Sequence, residues 1–274
     1  MAARPTDTTS LHTVTMTRET THLLETLRGH RALRPTVDPS LAGGLRAWLE
    51  DDLAPLVSAR SATEPLFLTP RSITIESLST VPPIIALARS SLVAALVAQH
   101  ALGLEVVHPM DDALGALEAD ESQSALVEAI HALDPDAFAR LSAEVAAHLS
   151  TLTSRLTAVP PTWLPRTNVQ ITTALAGGRV VLGGVVSLAV GPPAIDHATV
   201  CLLEVSTRIP DATVERRLGV LALIETLRSG AAPLRVASLS TATGGSVVID
   251  VRDDLLTAAL AEVIGAVTQR ATAQ

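Results

Sequence analysis

The chain has 274 residues, a formal net charge of −8 and a pI near 5.4, with 47% hydrophobic and 18% charged residues. Such a composition can bury a substantial core, as one large domain or two small ones, and excludes disorder for most of the length. All twenty basic residues are Arg, which excludes a Schiff-base lysine, a Walker-type phosphate lysine and a nuclease lysine alike.

The acidic balance repels phosphate on average, so nucleic-acid affinity would have to come from a local Arg patch. Cys201 is the single cysteine, which rules out an intrachain disulfide and any cysteine-based zinc site. Its place in an apolar run reads as a buried, inert thiol. The opening residues MAARPTDTTSLHTVTMTRET lack the apolar core of a signal peptide. Every apolar run is broken by Arg, Asp, Glu or His before the roughly 18 residues that a membrane helix needs. A cytoplasmic location, with no membrane partner, is the expectation.

In chain order, residues 1–35 are rich in Thr and Arg and weakly periodic, and read as a flexible segment. DPSLAGGLRAWLEDDLAPLV at 38–57 predicts an amphipathic helix with Leu45, Trp48, Leu49 and Leu53 on one face. PLFLTP reads as a short strand or loop, followed by a Ser/Thr-rich stretch to residue 80. Pro82 and Pro83 open an apolar helix to about 102, where Gly103 is the expected cap. Two shorter helices follow, near 111–119 and 121–132. Asp134-Pro135 then starts a long helix at 135–157, whose Phe138, Leu141, Val145, Leu149, Leu152 and Leu156 make one buried stripe. VPPTWLPR at 159–166 is a rigid linker.

The period then changes from helix to strand. VQITTAL (169–175) and RVVLGGVVSLAV (179–190) flank Gly177-Gly178, a two-residue hairpin signal. A third strand runs over 199–206, and Asp211 caps a helix at about 212–229 that ends at Gly230. PLRVASLS (233–240) and SVVIDV (246–251) are strands. Asp253 caps a last helix with Leu256, Leu260, Val263, Ile264 and Val267 inward. The expected organisation is a flexible 1–35, a helical region at 36–133 and an α/β core at 134–274, the last two able to pack as one domain. From the long helix onward the order is α-β-β-β-α-β-β-α.

This order, with a G-x-V-[acid]-L-x-x-G strand, an E-x-K strand and then a helix as its template, resembles the PD-(D/E)XK nuclease superfamily, in its RecB-like branch. LAGGLRAWLEDDLAP, PPTWLPRTNVQ, LAGGRVVLGGV and ALIETLRSGAAPLRVAS resemble an actinobacterial family of RecB-like nuclease-domain proteins over most of residues 38–270. The resemblance implies a restriction-endonuclease-like mixed central sheet with a helical N-terminal extension. It also implies a site in which a first-strand Asp and a second-strand Glu hold Mg²⁺, which activates water. A Lys two residues after the Glu shares its strand face. A Gln-x-x-x-Tyr on the next helix helps to hold lysine and DNA.

Carried over by position, the Asp falls on Ser187, the Glu on Glu204 and the Lys on Ser206, while Gln and Tyr fall near Arg217 and Leu221. Four of the five have changed chemical class. The upstream segment IESLSTVPP has neither His nor Cys. Serine is a poor Mg²⁺ ligand beside a carboxylate, and Glu204 alone is a weak metal candidate. No catalytic residue and no cofactor are therefore expected. Without the resemblance, Glu204 would read as a strand-end acid paired with an Arg such as Arg208 or Arg179, and Ser187 and Ser206 as small residues filling a spent cleft.

Other constellations are weaker. HPMDD, with His108, Asp111 and Asp112, fits a helix start better than a metal cluster. Glu144 and His148 read as a solvated i,i+4 pair. Arg166, Arg179, Arg208, Arg216, Arg217 and Arg235 are candidates for a phosphate-facing patch, but the absence of Tyr argues against a base-stacking platform. The expectation is a noncatalytic nuclease-fold protein that binds a protein partner or itself. One alternative is a metal-dependent nuclease using Mg²⁺ or Mn²⁺, its site rebuilt from Glu204 with Asp196 or Glu215. The other is a DNA-binding protein that does not cut.

Overall fold

The structure, a computed structural model, describes residues 23–29, 35–58, 64–74, 83–192 and 197–272. It is a mixed α/β fold around one six-stranded mixed sheet. The strands are β1 (Leu66–Leu68), β2 (Arg166–Leu175), β3 (Val180–Val190), β4 (Cys201–Ser206), β5 (Arg235–Ser240) and β6 (Ser246–Asp250). The helices are α1 (Leu23–Arg28), α2 (Leu41–Ser58), α3 (Pro70–Thr74), α4 (Ile84–Ala101), α5 (Pro109–Glu118), α6 (Ser124–His131), α7 (Pro135–Arg155), α8 (Val214–Ser229) and α9 (Asp253–Thr272).

From residue 135 the order of these elements is the expected α-β-β-β-α-β-β-α. β2 and β3 form an antiparallel hairpin, β3 and β4 are antiparallel, and α8 carries the chain over to β5, which runs parallel to β4. One layer of helices, α2, α8 and α9, covers one face; its Leu218, Leu223, Leu256 and Leu260 are buried with Ile171, Leu182 and Val236 of the sheet. The opposite face is covered by α1, α4 and α7, through Leu27, Val97 and Leu152 against Leu188, Leu203 and Leu239. Sheet residues alternate between these two cores because strand side chains alternate faces.

Several expectations are corrected. Leu23–Arg28, inside the segment expected to be flexible, is a helix whose Leu23, Leu24 and Leu27 are buried. Arg28 stacks on the Trp163 ring at 4.2 Å, and the Cys201 thiol donates to the Leu27 carbonyl. The helical region and the α/β core, which the sequence left able to pack as one domain, share the sheet, because β1 pairs in parallel with the start of β3. α2 is likewise part of the core: Arg46 donates to the Ala174 and Leu227 carbonyls, and Glu50 accepts from the Ala176 N–H. That last bond sits in the hairpin turn, which is wider than expected. Leu175 pairs with Val180, leaving Ala176–Arg179 as a four-residue loop with Ala176, Gly177 and Gly178 all at positive φ.

Among the described residues α4 is long and apolar enough to cross a membrane, at 18 residues and mean hydropathy 1.5, which the apolar runs were not expected to reach. Its Leu92, Val93, Leu96 and Val97 are buried within the protein, and Arg89 on the same helix pairs with Glu144 of α7. Glu144 is thus not the partner of His148. His148 is half-buried, and its Nδ1 has no partner among the described residues. Burial, helped by the charge of Arg89, holds its pKa below the usual 6.5, against the opposing pull of the Thr241 backbone and the Glu144 charge. A lowered histidine pKa means that the unfolded chain takes up the proton first. Stability is then full above pH 6.5 and falls as the pH drops through the folded value. Urea denaturation at pH 7.5 and 5.5 should therefore give a His148→Asn variant a smaller acid loss than the parent, by under about 1 kcal/mol given the partial exposure.

Candidate functional site: a cleft where the sheet forks

β3 is paired with β2 along nearly its whole length, from Val180 to Ala189. Its other edge is shared. β1 takes Val180–Leu182 and β4 takes Leu188–Val190. Between them, over 183–187, that edge has neither neighbour, and the sheet forks. A side chain at 183 would collide with Phe67, whose Cζ would stand 2.8 Å from a Cβ there. Glycine at this position leaves room for the Phe67 ring over the fork.

The gap is a cleft of about 400 Å³. Phe67, Pro70, Val185 and Leu221 form apolar walls, and Arg71, Gln170, Thr172, Glu204 and Arg217 supply polar groups. A smaller cavity of about 50 Å³ adjoins it, with Arg71, Glu204 and Arg217 in the shared wall and Ser206, Arg208, Ile209 and Asp211 beyond.

Of the motif positions inferred from the sequence, Glu204, Arg217 and Leu221 line this cleft and Ser206 lines the smaller cavity, while Ser187 lines neither. Glu204 enters from β4. Arg217 lies in the first turn of α8, and Leu221 sits one turn later on the same face. The Arg217 Nε–H donates to both carboxylate oxygens of Glu204, at 3.2 and 3.1 Å. The pair is mostly withdrawn from water, with side-chain exposures of 13% for Arg217 and 28% for Glu204. Glu204 is therefore paired, as the plain reading of a strand acid expected, but by Arg217 rather than Arg208 or Arg179. Asp211 lies 4.0 Å from the Arg217 guanidinium. Its carboxyl is held below the usual value, first by the Thr213 hydroxyl that donates to it and then by the Thr213 backbone N–H and the charges of Arg217 and Arg208.

Ser187 has a backbone task. The β3–β4 ladder stops at Leu188 and Leu203, and at the next step the Val205 N–H donates to the Ser187 hydroxyl at 2.9 Å. The side chain continues the ladder by one bond where the two strands have separated. Ser206 accepts from the Arg208 N–H through its hydroxyl, and its carbonyl accepts from the N–H and hydroxyl of Thr241.

This donor set does not fit a divalent metal. Mg²⁺ takes oxygen ligands in a near-octahedral shell. Here both oxygens of Glu204 face a guanidinium, and Ser187 already accepts a backbone hydrogen bond. Among the described residues there is no group of three or more His, Cys, Asp or Glu side chains that could hold a metal. Glu215, a possible replacement ligand, is exposed and does not line the cleft. Asp196 and most of IESLSTVPP lie outside the described residues.

The six arginines do not form one patch. Arg216 pairs with Glu262 of α9, and Arg235 with Asp250 of β6 and the Thr26 carbonyl. Arg166 begins β2 and Arg179 sits in the hairpin turn; neither lines the cleft. Of the six, Arg208 and Arg217 line the two cavities. The sequence reading missed Arg71, Phe67 and Val185, because nothing local in PLFLTPR shows that its strand returns to the sheet beside the fork. HPMDD is a helix start as expected: Asp112 accepts from the N–H groups of Val107 and His108.

No protein-family model and no curated protein matches the chain. Among solved structures, that of SSO0001 is 12% identical, covering 82% of this chain and 84% of that chain at a TM-score of 0.30. A likeness of this size carries no argument about fold or function.

Proposed function

We propose that this protein is a catalytically inactive, RecB-like member of the PD-(D/E)XK nuclease fold. On this reading it acts in the cytoplasm as a structural or partner-binding module of a DNA-processing or defence complex, binding a protein partner or a second copy of itself. The observation that carries the reading is the Arg217–Glu204 bond. Both oxygens of the carboxylate that a nuclease of this kind would use to hold its cation accept from a guanidinium instead. The Ser187 hydroxyl, which accepts from the Val205 N–H, supports the same reading, since the resemblance assigns the second carboxylate to that position. The restriction-endonuclease-like topology is supported by the antiparallel β2–β3–β4 run and the α8 crossover to a parallel β5.

Dispersal of Arg166, Arg179, Arg216 and Arg235 away from the cleft disfavours a DNA-binding surface there. The test is incubation of the full chain with labelled linear duplex and single-stranded DNA, with Mg²⁺ and then Mn²⁺, and with Glu204→Ala as control. No cleavage above the metal-free blank is expected for either protein. Cutting that disappears in the Glu204→Ala protein would refute the proposal. Binding of DNA at low salt, with a steep loss as salt is raised, would replace it with that of a noncleaving DNA-binding protein.

A further inference from the structure

The cleft at the fork has the make-up of a ligand pocket rather than of an empty scar. Its volume, about 400 Å³, lies in the usual range for sites that bury small molecules, which combine apolar walls with a few placed polar groups. The walls are Phe67 and Val185, whose exposures of 60% and 58% are high for large apolar side chains on a sheet, together with Pro70 and Leu221.

The charges are not balanced. Across the two adjoining cavities the side chains are three guanidiniums, Arg71, Arg208 and Arg217, and two carboxylates, Glu204 and Asp211. Arg217 is committed to Glu204, and Asp211 to the start of α8 through Thr213. Among the described residues no carboxylate forms an ion pair with Arg71 or Arg208. A protein with a net charge of −8 thus places beside this recess two guanidiniums that form no ion pair among the described residues.

We propose that this cleft binds a small organic anion with an apolar body, a carboxylate, sulfonate or phosphate ester, whose anionic group meets Arg71 and whose body lies between Phe67 and Val185. The proposal rests on the reading above in one respect: the Glu204 carboxylate must be held by Arg217, with no metal in the cleft, because an unpaired carboxylate would repel the ligand and a bound metal would take its place. The volume of about 400 Å³ favours a small molecule over a polypeptide segment.

The test uses two fluorescent probes with one ring system, 8-anilinonaphthalene-1-sulfonate, which is anionic, and N-phenyl-1-naphthylamine, which is neutral. Both are titrated into the folded full chain at moderate salt. The anionic probe should bind with 1:1 stoichiometry. Arg71→Gln should weaken it about tenfold, the loss of one charge-assisted contact, while leaving the neutral probe's affinity within about twofold. Val185→Glu should abolish binding of the anionic probe. Leu104→Ser, in an exposed apolar loop away from the cleft, should change neither.

Equal weakening of both probes by Arg71→Gln, no binding at all, or loss of binding in Leu104→Ser with the cleft variants unaffected would each overturn the proposal. Displacement of the anionic probe by Mn²⁺ in the parent but not in Glu204→Ala would instead overturn the metal-free reading on which it rests. The two failures are therefore separable.

Discussion

Replacing Arg217 by Ala is expected to lower the unfolding free energy by about 2 kcal/mol, because it strands a charge. The Glu204 carboxylate has 28% of its side-chain surface exposed, and both of its oxygens accept from the Arg217 Nε–H. Once that donor is gone, the carboxylate keeps its desolvation cost without its partner. Glu204→Ala should cost less, since the surviving guanidinium still has Asp211 within 4.0 Å and can turn toward water. Converting both to leucine should be near neutral, because a pair of well-packed apolar groups gives up neither charge nor hydrogen bond. Urea denaturation of the four proteins, with and without 10 mM Mg²⁺ (a concentration of roughly the order that weak hydrated sites need), checks this. A parent protein that Mg²⁺ stabilises, with the gain lost in Glu204→Ala, would show that Arg217 merely shields a working metal site. An Arg217→Ala protein as stable as the parent would show that the pair has no structural weight.

How far the sequence led is clearest at β4. The run at 199–206 and the helix signal at Asp211 predicted the strand and the helix that follows it. The long α7 stripe was equally legible, because Leu141, Val145 and Leu152 recur at helical spacing and are buried as that spacing demands. What could not be read were contacts made by distant segments. β1 is three residues long, and its apolar run has no period of its own. Its pairing with Val180–Leu182 of β3, and the packing of Phe67 and Pro70 over Gly183 and Gly184, show only when the segments lie side by side. Arg71 entered the cleft by the same route. α1 was hidden for a related reason: its three buried leucines fill less than two turns, too few to establish a period against the Thr-rich residues before them. The arginines show the converse error. Nearness in sequence suggested one patch, yet Arg216 and Arg217 point about 100° apart on α8 and pair with acids on different elements, Glu262 and Glu204.

Metal binding should be recoverable by substitution. The triple change Ser187→Asp, Ser206→Lys and Arg217→Gln is expected to bind Mn²⁺ with a dissociation constant of roughly a millimolar or tighter, where the parent binds none. The geometry favours the attempt. The Ser187 hydroxyl already reaches the Val205 N–H at 2.9 Å, so a carboxylate at that position would stand beside β4 next to Glu204. Residues 204 and 206 lie on one face of β4. The three changes have to be made together. With Arg217 kept, a new carboxylate at 187 would become a second partner for the guanidinium, and the site would close as a salt bridge. With Ser187 kept, removal of Arg217 would leave one carboxylate, too few oxygens to displace water from the ion. The cost should appear in the fold: losing the Ser187–Val205 bond and the Arg217–Glu204 pair should lower metal-free stability by about 2–3 kcal/mol, and saturating Mn²⁺ should restore part of it. Mn²⁺ titration followed by electron paramagnetic resonance, beside thermal melts of the same samples, gives both numbers. A folded triple variant that binds no more Mn²⁺ than the parent would mean that positions 187 and 204 do not face a common point, and that the fork never held a cation between them.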